Sequence, residues 1–152
     1  MKIRGFEVIE NRHRKHEDVV IQLPVRSTQH SAGYDFFLPI DVEIAPNETK
    51  VVFSDVKAYM QPNEVLMLFV RSSIGIKKNI ILANGTGIID ADYYSNESND
   101  GNIGLALFNN SNETVVLKAG ERVAQGIFTP FLVADNGNTN NVRQGGTGST
   151  NK

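Results

Sequence analysis

Short apolar runs recur along the chain, at residues 19–23, 42–44, 50–53, 65–70, 80–83, 103–108, 114–117 and 123–128. Turn formers separate several of them: Pro46-Asn47-Glu48, Gln61-Pro62-Asn63-Glu64, residues 109–113 and Lys118-Ala119-Gly120-Glu121. Runs this short, bounded by turn residues, read as strands, and so many in one chain predict an all-β sandwich or barrel. One short helix fits, around residues 72–77, and Gly75 weakens it. No internal repeat or linker divides residues 1–134, which read as one domain.

The pattern stops at Asp135. From there to Lys152 the only aliphatic residue is Val142, and Asn, Gly, Thr and Ser dominate. Such a segment cannot bury itself. It reads as a flexible, Gly-rich C-terminal arm over residues 135–152, and the plain alternative is a loose terminus. Within it lies Arg143-Gln144-Gly145-Gly146-Thr147-Gly148-Ser149-Thr150. Clustered glycines let backbone N–H groups approach an anion, and an arginine adds charge and a fork of donors.

Composition narrows the classes. The chain has 152 residues, enough for one packed domain and too few for two comfortable ones. Its net charge of −2 sets up no positive field for nucleic acid or an anionic membrane. The absence of cysteine excludes disulfides, thiolate metal sites and a Cys nucleophile. The histidines lack companion acids at ligand spacing, so no metal site is assigned to them. The N-terminus has no apolar signal core, and no run reaches the ~18 apolar residues of a membrane helix. A cytoplasmic protein is expected. Arg12-His13-Arg14-Lys15-His16 reads as a solvated basic loop. Residues 95–102, Ser-Asn-Glu-Ser-Asn-Asp-Gly-Asn, read as a polar loop inserted between two strands.

Five segments carry candidate chemistry. Ala32-Gly33-Tyr34-Asp35 sets an acid beside the apolar Phe36-Phe37-Leu38-Pro39, where Asp35 suits a hydrated cation or a turn. Arg71-Ser72-Ser73 ends an apolar strand with a cation, two hydroxyls and free amides, which is phosphate chemistry or a helix N-cap. Gly87-Ile88-Ile89-Asp90-Ala91-Asp92-Tyr93 places two carboxylates and a ring in a strand-like stretch. On a strand, Asp90 and Asp92 would share a face, and burying them unpaired would be costly. Asp90 suits a general base, Asn84 and the backbone near Gly85 and Gly87 suit a base edge, and Tyr93 suits a sugar face. In Gly120-Glu121-Arg122-Val123-Ala124-Gln125-Gly126, Gln125 suits a phosphate or water, while Arg122 reads as an ion-pair partner. The glycine-rich arm is the fifth.

The order of these five segments, from about Ala32 to Thr150, resembles the homotrimeric dUTP pyrophosphatases (dUTPases). Ala-Gly-Tyr-Asp is similar to the first family motif, Arg-Ser-Ser to the second and residues 87–93 to the third. Gly-Glu-Arg-Val-Ala-Gln is similar to the fourth, and residues 143–150 to the fifth. The resemblance implies a jelly-roll-like β-sandwich, assembled as a homotrimer whose sites draw on all three subunits, with the arm closing over a neighbour. It implies magnesium-dependent hydrolysis of dUTP to dUMP and pyrophosphate, with Asp90 activating the water. Arg71, Ser72, Ser73, Gln125, Arg143, Gly146 and Ser149 would bind phosphates. Asn84, Gly87, Ile89 and Tyr93 would bind uracil and deoxyribose, and Asp35 would meet the metal through water. Asp92 receives no role beyond being solvated or paired.

Two departures stand out. The family's arm usually carries a phenylalanine over the uracil where this chain has Thr147, leaving Tyr94 as the aromatic nearest to hand. The polar stretch after Tyr94 replaces a short turn and should lengthen a surface loop. A dCTP deaminase of the same superfamily and a regulatory binding protein on this scaffold are the competing expectations.

Overall fold

A computed structural model describes residues 1–146. Twelve strands and one helix follow in the order β1 (Gly5–Val8), β2 (Val25–Arg26), β3 (Tyr34–Phe37), β4 (Val42–Ile44), β5 (Thr49–Phe53), β6 (Val56–Tyr59), β7 (Glu64–Val70), α1 (Ser72–Lys78), β8 (Ile80–Leu82), β9 (Gly87–Asp90), β10 (Gly104–Asn109), β11 (Val115–Leu117) and β12 (Arg122–Pro130). The largest sheet has the order β2-β3-β12-β7-β9, a second has β5-β10-β8, and β1-β6 and β4-β11 form two-stranded ribbons. All these pairings are antiparallel. The result is the all-β architecture that the runs of apolar residues predict, in the jelly-roll-like form that the resemblance implies. Among the described residues, no helix is long and apolar enough to cross a membrane.

Strand β7 organises the large sheet. Its apolar sequence, Glu64-Val-Leu-Met-Leu-Phe-Val70, pairs with β12 from Val70↔Ala124 to Glu64↔Pro130 and with β9 from Val65↔Asp90 to Leu68↔Gly87. Leu66 and Leu68 point into the core with Phe36, Ile80 and Val123. Each such side chain contributes roughly 1.5–3 kcal/mol through burial. Strand β10 shows the period of two most clearly. Leu105 and Leu107 are fully buried, while Gly104 and Ala106 face the other way and leave room beside them.

Helix α1 starts where β7 ends. Arg71 is its extended N-cap residue, and no side chain caps it, so Ser72 and Ser73 are not caps but its first two residues. Gly75 is tolerated because Ile74 anchors the helix in the core. Asn79 ends it in the left-handed region, returning its N–H to the Ile74 carbonyl.

Three expectations need correction. Residues 19–23 form no strand. Pro24 supplies no N–H there, and β3 finds only Val25 and Arg26 to pair with on that side. The basic cluster is not free in solvent. Asp55, fully buried, accepts the N–H groups of Lys15 and His16 at 2.9 Å each and faces Arg14 at 3.4 Å. The polar loop 95–102 is not merely a surface extension either. Its tip is exposed, but Asn96, Asp100 and Asn102 are buried. Asn102 and Asp55 exchange hydrogen bonds of 2.8 and 2.9 Å, and Lys57 Nζ reaches both Asp100 oxygens at 3.0 Å. Composition showed a polar stretch, but not that β6 and the turn before it carry the buried partners that let polar groups go inside.

Candidate active site

Two neighbouring polar regions contain the sequence-predicted residues. The first is a cleft of about 520 Å³ beside β9. Its floor includes the outward faces of Gly104 and Ala106 on β10, whose small size leaves the space open. Its walls carry Asn84, Gly87, Ile89, Asp90, Tyr93, Arg143 and Gly146. Asn84 lies on the tight turn between β8 and β9, where Gly85 adopts a φ of +75°. Gly87 lets β9 approach β7, since a Cβ on it would lie 2.9 Å from the Cβ of Leu68.

Asp90 is the last residue of β9, and its side chain is half-exposed. The chain then turns into a 3-10 segment, Ala91–Tyr93, so Asp92 leaves the strand instead of sharing a strand face with Asp90. The two acids are still brought together, by an arginine. Arg143 Nη2 donates to Asp90 at 2.5 Å and Nε donates to Asp92 at 2.7 Å. Asp92 is therefore paired, and the arm up to Gly146 lies against its own chain's β9 turn. The guanidinium is 6.0 Å from the centre of the Tyr93 ring. Tyr93 donates its hydroxyl to the carbonyl of Asn102 at 2.6 Å and accepts from Asn99 Nδ2 at 2.8 Å. Burial pushes the Tyr93 hydroxyl above its ordinary pKa of 10.0, against opposing effects of the Asn99 bond and the Arg143 charge.

The second region lies where β7 ends and β12 begins, beside β3 and α1. Asp35, almost fully buried, accepts from Ser27 Oγ at 2.6 Å and faces Arg71 and Arg122 at 3.3 Å each. Arg122 is thus an ion-pair partner, as its sequence context suggests. Gln125 sits opposite Asp35 across the β3–β12 register, its side chain passing over Gly33. Ser72 and Ser73 are exposed at the start of α1. Among the described residues, neither serine hydroxyl nor the Gln125 amide has a hydrogen-bond partner. None of Asp35, Arg71, Ser72, Ser73 and Gln125 lines the cleft. One chain therefore presents two separate polar regions: an acid-and-ring cleft and a cationic, hydroxyl-bearing edge.

The model of the dUTPase family matches residues 20–151 of this sequence. The chain belongs to the dUTPase family. A deoxyuridine 5'-triphosphate nucleotidohydrolase of Lactococcus lactis subsp. lactis is 48% identical over 153 residues, covering 99% of each chain. One from Haemophilus influenzae is 35% identical, covering 74% of this chain and 73% of the relative. Among solved structures, the dUTPase of Streptococcus mutans superposes with a TM-score of 0.75 at 46% identity, covering 87% of this chain and 99% of that one.

Within this dUTPase, the residues absent from the sequence reading are Asn99 and Asn102, which hold Tyr93, and Ser27, which holds Asp35. Their only sequence signal was position: Asn99 and Asn102 follow the ring within nine residues, in a stretch too polar to fill a core unaided. Tyr94 does not cover the cleft. Its hydroxyl donates to Glu7 at 2.5 Å, and its ring packs on Tyr59 and under Lys57. Thr147 and Ser149 lie outside the described residues. Among those described, no cluster of three or more acids or histidines could hold a metal.

Proposed function

We propose that this dUTPase hydrolyses dUTP to dUMP and pyrophosphate through a water activated by Asp90. The observation that carries the assignment is the half-exposed Asp90 carboxylate on the wall of the same cleft as Tyr93 and the Asn84 turn. The water gives a proton to Asp90 as its oxygen bonds to the α-phosphorus, and the bond to the bridging oxygen breaks in line, releasing pyrophosphate. Little covalent chemistry falls to the protein, so positioning and charge carry the rate.

Asn84 and the backbone at Gly87 and Ile89 hold the uracil edge, and the Tyr93 ring lies against the deoxyribose, where a ribose 2'-hydroxyl has no room. Arg71, Ser72, Ser73 and Gln125 bind phosphates. Their free hydroxyls and amide support this, because unpaired donors beside a cation suit an anion. Their separation from the cleft supports a homotrimer, in which one subunit's edge completes another's cleft. Arg143, Gly146 and Ser149 of the arm complete the phosphate contacts, with Arg143 exchanging its carboxylates for phosphate and so releasing Asp90. No acid or histidine cluster among the described residues would cage a metal, and magnesium would be held mainly through the bound triphosphate. Asp35, enclosed by Ser27 and two arginines, suits contact through water only. When bound, the ion neutralises charge on the phosphates. The cytoplasm, where deoxynucleotides are made and used, is the location this reading carries.

Pyrophosphate release from dUTP, dTTP, UTP and dCTP with magnesium present tests the assignment. The wild type should turn over dUTP alone, and Asp90→Asn should lose about two to four orders of magnitude in kcat. Ammonia release from dCTP, or full activity in Asp90→Asn, would refute it.

A further inference from the structure

The loop 95–102 has an internal logic that its polarity conceals. Asn102 is clasped by buried Asp55, and Asp100 by Lys57 and the backbone N–H of Glu10 at 2.8 Å. Asn96 binds the loop to itself, with its Oδ1 accepting from the N–H groups of Ser98 and Asn99 at 3.0 and 3.1 Å. Its Nδ2 donates to the carbonyl of Tyr93 and to Asn99 Oδ1, both at 2.8 Å.

These contacts fix which way the Asn99 amide points. Its Oδ1 already accepts from Asn96 Nδ2 and from the Gly101 N–H at 3.0 Å. A flipped amide would set donor against donor twice, so Nδ2 must face the Tyr93 hydroxyl. That hydroxyl gives its single proton to the Asn102 carbonyl and offers a lone pair to Asn99. The ring is thus held at its tip by two directional bonds, both from one loop rooted in a buried polar cluster. The arm passes the same edge: a Cβ on Gly146 would lie 3.2 Å from the Tyr93 ring and 3.8 Å from Asn99 Nδ2.

We propose that Asn99 is a positioning residue that fixes the Tyr93 ring and thereby sets how strictly the cleft rejects a ribonucleotide. The inference rests on the reading of Tyr93 as the wall against the sugar. A ring free to tilt admits a 2'-hydroxyl; a ring pinned at its tip does not.

Asn99→Asp is the decisive variant. It is nearly isosteric and keeps the oxygen that Asn96 and Gly101 need, but it replaces the donor to Tyr93 with a carboxylate oxygen, so the single hydroxyl proton can serve either that oxygen or the Asn102 carbonyl and the ring loses one of its two bonds. The full-length protein is assayed for kcat/KM on dUTP and UTP. Asn99→Asp should lower the dUTP-to-UTP preference by about three- to tenfold, the worth of one ordinary hydrogen bond, chiefly by raising UTP turnover. Tyr93→Phe, which loses both hydroxyl bonds, should show at least this loss, and adding Asn99→Asp to it should change little further, since the other link between the two residues, through Asn96, survives in that variant. A merely structural role would lower both substrates equally and add to Tyr93→Phe. An unchanged preference in a folded Asn99→Asp protein, or full additivity with Tyr93→Phe, would overturn the proposal. Tyr93→Ala separates the underlying reading. If it leaves the preference intact, the ring is not the sugar wall and both ideas fall. If it collapses the preference while Asn99→Asp does not, only the positioning role falls.

Discussion

The polar residues around Asp55 and Asp100 and those at the edge of β7 and α1 are chemically alike, and they are treated in opposite ways. In the first group no buried side-chain nitrogen or oxygen lacks a partner. In the second, the hydroxyls of Ser72 and Ser73 and the amide of Gln125 have none among the described residues. The contrast separates buried polar groups that hold the fold from exposed ones left available for the ligand role proposed above. Satisfied buried groups contribute rigidity, whereas exposed, preorganised donors give up little to accept a new anion.

Removing one member of the closed group should have the largest effect on stability. Asp100→Ala leaves the Lys57 ammonium buried with no carboxylate and should lower unfolding stability by about 3–5 kcal/mol, read by urea denaturation. A loss below 1 kcal/mol would mean that water reaches the cluster freely. Acid should act on the same cluster. Burial opposes the charged form of Asp55, but the N–H groups of Lys15 and His16, then Asn102 and Arg14, outweigh it and hold its pKa below the usual carboxylate range. Asp100 is lowered in the same way, against burial, by the Glu10 N–H and Lys57. Because both folded values are depressed, their stabilisation is complete above the ordinary pKa of 3.8 and is lost as pH falls below it. The stability gap between the wild type and Asp100→Asn should therefore be constant near neutrality and close in that acid range. A gap that widened on acidification would contradict the ion-pair account. The smallest effect should come from the open group. Gln125→Ala should leave urea unfolding unchanged while lowering kcat/KM for dUTP by about tenfold or less. A destabilised protein with unchanged turnover would reverse the comparison.

The two groups also differ in how far the sequence reveals them. The strands at 42–44, 65–70 and 123–128 were visible because apolar runs pair with one another and need nothing else. Strands β1 and β6 were not, since Glu7 and Lys57 interrupt the pattern, and Lys57 belongs inside only because Asp100 waits 43 positions later. The residues of the open edge and the cleft were nominated by residue type and by the motif order that carries the family resemblance. Asn99, Asn102 and Ser27 were hidden because their roles lie in whom they touch. Pairing of Asp92 with Arg143 was hidden for the same reason, across 51 positions.

Gly33 links distant parts of the chain in a further way. A Cβ at that position would lie 2.2 Å from Oε1 of Gln125 and 3.1 Å from its Cβ and Cδ. The amide is the loose end of its side chain, so an alanine at 33 would displace it without tearing the sheet. On the phosphate-binding role proposed for Gln125, such a change should leave expression and solubility intact and lower turnover of substrate. Positions 33 and 125 are thus coupled across the sheet: the absence of a side chain at the first sets where the amide of the second can lie.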